Sequence, residues 1–103
     1  MPRTRRIAFA ASAIDDLLAI REWHAGQQVP EVGERLLREV VAHVERLAAF
    51  PEMGRIVPEF GVPHLRELIH PPFRVVYRLD ADCVRVVRVW RSERILDVPQ
   101  QDG

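Results

Sequence analysis

The segment from Arg66 to Arg78 limits the possible folds of this chain more than any other stretch. Pro71-Pro72 divides it, and two prolines make a stiff turn because each fixes φ and lacks an N–H. Before the turn, Leu65 to Ile69 is predicted to be a strand. After it, apolar side chains alternate with other residues at the period of two that is typical of a strand with one buried face. The segment therefore predicts a β-hairpin.

The alternation also predicts which face each side chain of the second strand occupies. We expect the apolar set Phe73, Val75, Tyr77 and Leu79 to pack against the core. Arg74 and Arg78 should then lie on the opposite face and be directed outward. On this interpretation, removing the Arg74 side chain costs little stability, whereas removing a buried Tyr77 ring costs several kcal/mol.

Two amphipathic helices are predicted ahead of this hairpin. The first runs from about Ser12 to Gln27, with Ser12 and Asp15 in a capping-box-like arrangement at its start. The second begins at Pro30, which suits a first helical turn, and ends at Phe50 because Pro51 disfavours helical geometry in the residue before it. Apolar residues recur three or four positions apart along the second helix. The short link between the helices predicts an antiparallel helical hairpin.

The remaining segments complete the predicted order. Arg5–Phe9 is expected to be a first strand, residues 51–64 a loop rich in proline and glycine, and Val84–Trp90 a last strand. The fold class is therefore α+β, in the order β-α-α-β-β-β, with the two-helix hairpin packed on one face of a small antiparallel sheet. Residues 1–103 form a single domain, and the tail from about residue 95 is expected to fray.

Composition limits the compartment and the class of function. Cys83 is the only cysteine, which suits a reducing cytoplasm, and no apolar run is long enough to span a membrane. All fifteen basic residues are arginines, and they balance fifteen acidic residues. Within residues 66–94, however, arginines outnumber the acids. A local positive excess of this kind suits phosphate or carboxylate groups, since arginine binds both through forked hydrogen bonds.

Most familiar kinds of catalytic or metal site are not expected in this sequence. Neither a glycine-rich phosphate loop nor a nucleophile motif is present, and no cofactor is predicted. No metal site is predicted either, because the histidines lack helical i,i+4 pairing and the single cysteine does not complete a ligand set. We expect surface or packing roles for these histidines, which are His24, His43, His64 and His70.

The arginines of the second half, with Tyr77 and two loop histidines, leave three interpretations open. The arginines could clamp the scissile phosphate of RNA while Tyr77, His64 or His70 assists proton transfer. The same face could instead dock onto a protein. It could also be an ordinary solvated face, in which Arg74, Arg78 and Arg88 pair with Glu67, Asp80 and Glu93. Residue types alone favour the last interpretation, because surface arginines are common.

A family resemblance supports a functional interpretation of these arginines. Several short motifs, in this order, resemble the RelE/ParE toxin superfamily of bacterial type II toxin–antitoxin systems, on the ParE side, over about Ile7 to Arg94. The segments that carry the resemblance are Ala13–Ile20, Leu47–Arg55, Val57–Glu59, Leu65–Leu68, Pro72–Arg78 and Val86–Arg91.

The resemblance implies a toxin that a cognate antitoxin binds and neutralises in a hetero-oligomer. ParE-like members poison DNA gyrase and cut nothing themselves, whereas RelE-like members are ribosome-dependent mRNA endonucleases. The residues that it implies for binding the target or the antitoxin are Arg55, Arg66, Arg74, Arg78, Arg88 and Arg91. For the ribonuclease alternative they are Arg55, Arg74, Tyr77 and Arg91, with His64 or His70 assisting.

Two features favour the gyrase interpretation. Where related toxins often carry a histidine in the last strand, this chain has Arg91 after Trp90. A protein that binds a phosphate-lined ribosomal site gains affinity from excess positive charge, and this chain is neutral. We therefore expect a gyrase poison without catalytic residues. An mRNA endonuclease is the alternative, and an inactive homologue that only binds antitoxin is the third.

Overall fold

A computed structural model describes residues 4–92 as two helices packed on one five-stranded sheet. The strands are β1 (Arg6–Phe9), β2 (Arg55–Ile56), β3 (Leu65–His70), β4 (Phe73–Leu79) and β5 (Cys83–Arg91). The helices are α1 (Ala11–Gly26) and α2 (Pro30–Glu45), and a 3-10 turn at Arg46–Ala48 follows α2. The predicted α+β class and element order are confirmed. The prediction of a frayed tail and the predicted Glu93 ion pair concern positions outside the described residues.

The sheet is mixed rather than antiparallel throughout, with strand order β1-β5-β4-β3-β2. The hairpin strands and β5 are antiparallel, as predicted. The first strand instead runs parallel to β5, with Arg6 opposite Cys83 and Phe9 opposite Val86. Because β1 pairs with the strand most distant from it in sequence, its own residue pattern held no information about its direction.

The core lies between the helices and one sheet face. Phe73, Val75 and Tyr77 of β4 point into it, which confirms the predicted alternation for these three residues. They pack with the apolar faces of the helices and of β5, and the buried helical members are Ala13, Val40, Val44 and Leu47. Full burial of a side chain of this size stabilises the fold by roughly 1.5–3 kcal/mol.

The start of α1 differs from the prediction because it supports the edge of β5. Ala10 is the residue that precedes the helix, and no side chain caps it, so the predicted Ser12 cap is wrong. The strand β1 ends at Phe9, while β5 continues to Arg91. Beyond Val86, which is the last residue of β5 that pairs with β1, Ser12 Oγ donates to the Val87 carbonyl at 2.7 Å. The carboxylate of Asp16 accepts from the backbone N–H of Val89 at 2.8 Å. These polar side chains satisfy backbone groups that β1 is too short to pair.

A β-bulge accompanies this contact. Tyr77 lies opposite Val86 and Val76 lies opposite Arg88, so Val87 is the extra residue on β5. Its carbonyl is the group that Ser12 binds.

Two further boundaries differ from the prediction. The α-helical part of α2 ends at Glu45, and the 3-10 turn tightens the approach to Pro51, whereas the sequence pattern extended the helix to Phe50. The strand β2 lies inside the segment predicted to be a loop, with Arg55 opposite Glu67 and Ile56 opposite Arg66. Two residues are too few to show an alternating pattern. Over residues 4–92, neither helix has the length and apolarity that crossing a bilayer requires.

Candidate functional site

The sheet face that points away from the helices carries four of the six arginines predicted to bind the target or the antitoxin. We call it the arginine face, and its members are Arg55, Arg74, Arg78, Arg85 and Arg88. Strand register brings Arg55 of β2, Glu67 of β3, Val76 of β4 and Arg88 of β5 into one row across the sheet. The hairpin prediction located part of this set, and the register of β2 and β5 completes it.

Glu67 and Arg74 form the centre of this face, and both are buried. Glu67 is 1% exposed, and its two carboxylate oxygens accept hydrogen bonds from Nε of Arg55 and from Nε of Arg74. Arg74 is only 6% exposed. The prediction that Arg74 points into solvent is therefore wrong. The side chain does lie on the face opposite the core, but carboxylates from β3 and from the β2–β3 segment surround it.

Glu59 is the second carboxylate on Arg74. The Nη1 and Nη2 atoms of Arg74 donate to the two oxygens of Glu59 at 3.0 and 2.6 Å, a forked bidentate contact. Glu59 belongs to the segment between β2 and β3, in which Val57 is buried. Because the alternation within a strand says nothing about what a distant loop places over it, sequence reasoning missed this contact.

The charges of this cluster stabilise one another. Burial acts to lower the pKa of Arg74, but the carboxylates of Glu59 and Glu67 raise it above its ordinary value. The hydrogen bond from Arg74 in turn lowers the pKa of Glu59. Buried charges are tolerated when they are paired and hydrogen-bonded. The cluster of Arg55, Arg74, Glu59 and Glu67 therefore pairs two arginines with two carboxylates.

The other arginines of this face are paired as well. Nε and Nη2 of Arg78 donate to Asp80 at 2.9 and 3.3 Å, and Nε of Arg85 lies 3.6 Å from the same carboxylate. The hydrogen bond from Arg78 lowers the pKa of Asp80. Arg88 makes two hydrogen bonds to Asp16 of α1, at 2.8 and 3.0 Å, and its guanidinium lies 4.8 Å from the ring centroid of Trp90. The pairs Arg74–Glu67 and Arg78–Asp80 match the solvated-face interpretation, whereas Arg88 pairs with Asp16.

Arg66 lies elsewhere. It is opposite Tyr77 on the helix side of the sheet, where its guanidinium donates to the carbonyls of Pro63 at 3.1 Å and Gly54 at 3.0 Å. A longer contact of 3.4 Å reaches the carbonyl of Glu52. Arg66 therefore joins the two ends of the segment that contains β2.

Arg91 ends β5 beside a groove. The groove has a volume of about 670 Å³ and lies between α1 and the neighbouring ends of β4 and β5. Its lining combines aromatic and cationic side chains, among them Trp23, Trp90, Arg88 and Arg91. Such a lining suits an apolar partner segment that carries acidic residues.

Tyr77 is a structural residue on the opposite side of the sheet from the arginine face. Its ring is fully buried, and burial raises the pKa of its hydroxyl. The hydroxyl oxygen accepts from the N–H of Gly54 at 2.9 Å and donates to the carbonyl of Pro51 at 2.8 Å. A Cβ on Gly54 would approach the Glu67 carbonyl to 2.4 Å and the Tyr77 hydroxyl to 2.6 Å. This close approach requires glycine before Arg55.

His64 and His70, the histidines considered for proton transfer, do not join the arginine face. His70 lies opposite Phe73 on the helix side, and its Nδ1 is 2.9 Å from Nδ1 of His43 on α2. Burial, then the charges of His70 and Arg46, lower the pKa of His43. His64 is exposed and precedes β3, at the end of that strand where Leu65 pairs with Arg78. Arg74 pairs with Ile69, four residues along β3, which corresponds to about 13 Å.

The structure thus separates the residues proposed for RNA cleavage. Arg55 and Arg74 are together, Tyr77 and His70 lie on the opposite face, and His64 is at the far end of β3. Across residues 4–92, no three histidine, cysteine, aspartate or glutamate side chains are grouped so that they could hold a metal ion. Asp16 and Glu59, which organise the arginines, were not predicted. Both fall within the segments that carry the family resemblance, and this was their only sequence signal.

Comparisons with known proteins find ParE and RelE toxins as relatives. A family model for the ParE toxin of the type II toxin–antitoxin system parDE matches residues 7–96. Toxin RelE2 of Caulobacter vibrioides is 30% identical over 91 residues, which cover 87% of this chain and 98% of RelE2.

Two solved structures share the fold. A chain of the chromosomal ParDE system from P. aeruginosa has a TM-score of 0.73 at 23% identity, with 85% of this chain and 96% of that chain covered. A chain of the RelBE2 toxin–antitoxin complex from Mycobacterium tuberculosis has a TM-score of 0.61 at 21% identity, with coverages of 85% and 98%. Because the family model spans residues 7–96 and RelE2 is matched over almost its whole length, this chain belongs to the ParE toxin family of type II toxin–antitoxin systems.

Proposed function

We propose that this toxin inhibits growth by poisoning DNA gyrase and that a cognate antitoxin neutralises it in a hetero-oligomer. The observation that carries the proposal is the pairing of the arginine face with carboxylates of the same chain. Its five arginines meet the carboxylates of Asp16, Glu59, Glu67 and Asp80, which leaves a single net positive charge on this face. Cleavage of RNA instead needs cations directed at the charge that develops on the scissile phosphate.

The position of the proton-transfer candidates supports the same proposal. The hydroxyl of Tyr77 already makes one hydrogen bond as donor and one as acceptor, both to the backbone around Gly54. It lies across the sheet from Arg74, so it is out of reach of a phosphate bound on the arginine face. His70 is likewise across the sheet from Arg74, and His64 is at the far end of β3.

The antitoxin partner follows from the relatives. Both solved structures are described as toxin–antitoxin systems or complexes, and the family is defined by such a system. We propose that the antitoxin covers the groove beside Arg91, where aromatic rings and arginines offer both apolar area and charge. A toxin with this partner and this target would act in the cytoplasm.

Ribosome-dependent mRNA cleavage is the second candidate. Two observations favour it: the RelE2 relative, and the side chain of Arg55, which is 63% exposed although it pairs with Glu67. An inactive homologue that only binds antitoxin is the remaining alternative, and the assays below distinguish it.

Purified protein tests these candidates directly. As a gyrase poison, it should block supercoiling of relaxed plasmid and trap cleaved DNA without ribosomes, and equimolar antitoxin should restore supercoiling. Full supercoiling at a large excess of toxin would reject the proposal.

A parallel reaction with translating ribosomes should leave the message intact. Cut message there that Arg55→Ala abolishes would favour the endonuclease, and inactivity in both assays with retained antitoxin binding would favour the inactive homologue.

A further inference from the structure

The contact between Arg74 and Glu59 has the geometry with which arginine binds a phosphate group. The two terminal nitrogens of Arg74 donate to the two oxygens of one carboxylate, at 3.0 and 2.6 Å. Arginine binds carboxylates and phosphates through the same planar fork. Glu59 therefore occupies the position that two oxygens of a phosphate would take.

The other groups hold this fork in place without Glu59. The remaining donor of Arg74, Nε, is bound by Glu67, which also binds Nε of Arg55. Glu67 has a completely buried side chain on a central part of β3, so it is fixed by the sheet. Two guanidinium groups are thus positioned around one immobile carboxylate before any ligand arrives.

Glu59 is the member of the cluster that can leave. Its side chain is 36% exposed, and it belongs to the segment that connects β2 and β3. Rotation of the Glu59 side chain would expose the fork without breaking a strand pair.

Charge favours a ligand once Glu59 has left. With Glu59 in place, two arginines balance two carboxylates. Without it the cluster has one net positive charge, and two buried N–H donors of Arg74 lose their acceptors. Unsatisfied buried donors are costly, and a phosphodiester, which carries one negative charge and two non-bridging acceptor oxygens, satisfies both needs.

We propose that Arg74 and Arg55 form a latent phosphate-binding site, which the carboxylate of Glu59 keeps closed to nucleic-acid backbones. Glu59 is then a specificity determinant of the arginine face: it excludes phosphodiesters from a surface that is otherwise built to bind them. The proposal concerns binding only and holds whether or not gyrase is the target.

Glu59→Ala tests the site, and Asp80→Ala is its matched control. Asp80 also pairs with arginines of this face and has a similar exposure of 32%, so the control removes the same charge at a different place. We expect Glu59→Ala to bind inorganic phosphate and a labelled ten-nucleotide RNA at least tenfold more tightly than the wild type or Asp80→Ala. The Arg74 Nε–H resonance in a phosphate titration and the fluorescence anisotropy of the RNA provide the two measurements.

Three results would overturn the proposal. Glu59→Ala could bind no better than the wild type, Asp80→Ala could gain as much, or Glu59→Ala/Arg74→Gln could keep the gain. An additional arm with acetate identifies the ligand class, because a larger gain for acetate than for phosphate would indicate an acidic peptide rather than a nucleic acid.

The phosphate site can still be tested if Glu59→Ala folds poorly. Glu59→Gln keeps the size of the side chain and one acceptor, so it provides a milder variant for the same titrations. If both variants melt below the wild type, replacing chloride by phosphate should raise their melting temperatures by more than it raises that of the wild type, because phosphate stabilises any folded protein to some extent. An equal rise in the variants and the wild type would reject the site.

Discussion

At the residue scale, two residues of β4 that are three positions apart are buried on opposite sides of the sheet. Arg74 is surrounded by two carboxylates, and Tyr77 is bound to the backbone before β2. The alternation in the sequence correctly predicted the face of each. It could not predict the burial of Arg74, because that depends on Glu59, fifteen residues away in a segment without a pattern.

Replacing Arg74 is therefore expected to be costly. Arg74→Ala leaves Glu67, which is completely buried, with Arg55 as its only ionic partner. Removing one member of a buried ion pair costs about 3–5 kcal/mol of the free energy of unfolding. Urea denaturation measures this cost. Arg35→Ala, an exposed arginine paired with Glu39, should change stability by less than about 0.5 kcal/mol. Equal and small effects of both substitutions would contradict the buried network.

The hydroxyl of Tyr77 gives a separate prediction. Tyr77→Phe keeps the ring in the core but leaves the N–H of Gly54 and the carbonyl of Pro51 without this partner, at a cost of about 1–3 kcal/mol. Tyr77→Ala also empties the core position and should cost about 3–5 kcal/mol. Denaturation midpoints measure both. A Tyr77→Phe variant as stable as the wild type would show that the hydroxyl does not hold this segment.

At the scale of elements, the contact between α1 and the edge of β5 is the feature that sequence patterns describe least. The sequence places Ser12 and Asp16 correctly on a helix, but it also suggests a capping role for Ser12. The actual role depends on the length difference between β1 and β5 and on the bulge at Val87, which are properties of strand pairing. The sequence analysis also missed the short strand β2, because only its pairing with β3 identifies these two residues as a strand.

Substitution of Asp16 should loosen this contact. Asp16→Ala removes both hydrogen bonds to Arg88 and the acceptor of the Val89 N–H, which predicts a loss of about 1–3 kcal/mol. The amide of Val89 should exchange hydrogen faster, and the supercoiling assay should show whether the groove beside α1 is needed. Asp15→Ala is the matched control, since Asp15 is exposed on the same helix. A similar loss in both variants would mean that helix propensity, rather than the β5 contact, explains the result.

At the scale of the whole molecule, the sequence predicts the architecture well and the site less well. Helical periodicity in α2 and alternation in β4 are local, and each was sufficient to assign its element and its buried face. The candidate arginines were also found, because their residue type is visible in the sequence. Their partners were found only in part, since pairing across the sheet depends on register and on the segment over Arg74.

Global stability should depend on pH through His43. Burial, His70 and Arg46 lower its pKa in the folded protein, and Glu39 on the same helix lies 3.9 Å from His70. The unfolded chain therefore binds the proton more readily, with an ordinary pKa of about 6.5. The stability that neutral His43 contributes is complete above that pH and is lost as the pH falls through the lower pKa of the folded state.

Urea unfolding at a series of pH values from 8 to 5 measures this dependence. His43→Gln should flatten the decline, whereas His64→Gln, at an exposed position before β3, should leave it unchanged. An identical decline in His43→Gln and the wild type would assign the pH dependence to other groups.

The parallel pairing of β1 with β5 has a consequence for synthesis. Residues 6–9 acquire their strand partner only after residues 83–86 have been translated, so the sheet cannot close around its first strand until most of the chain exists. Contacts this distant in sequence also slow folding, because a long loop must be ordered before they form. An interrupted translation product that ends before Cys83 therefore lacks the strand on which both β1 and α1 dock.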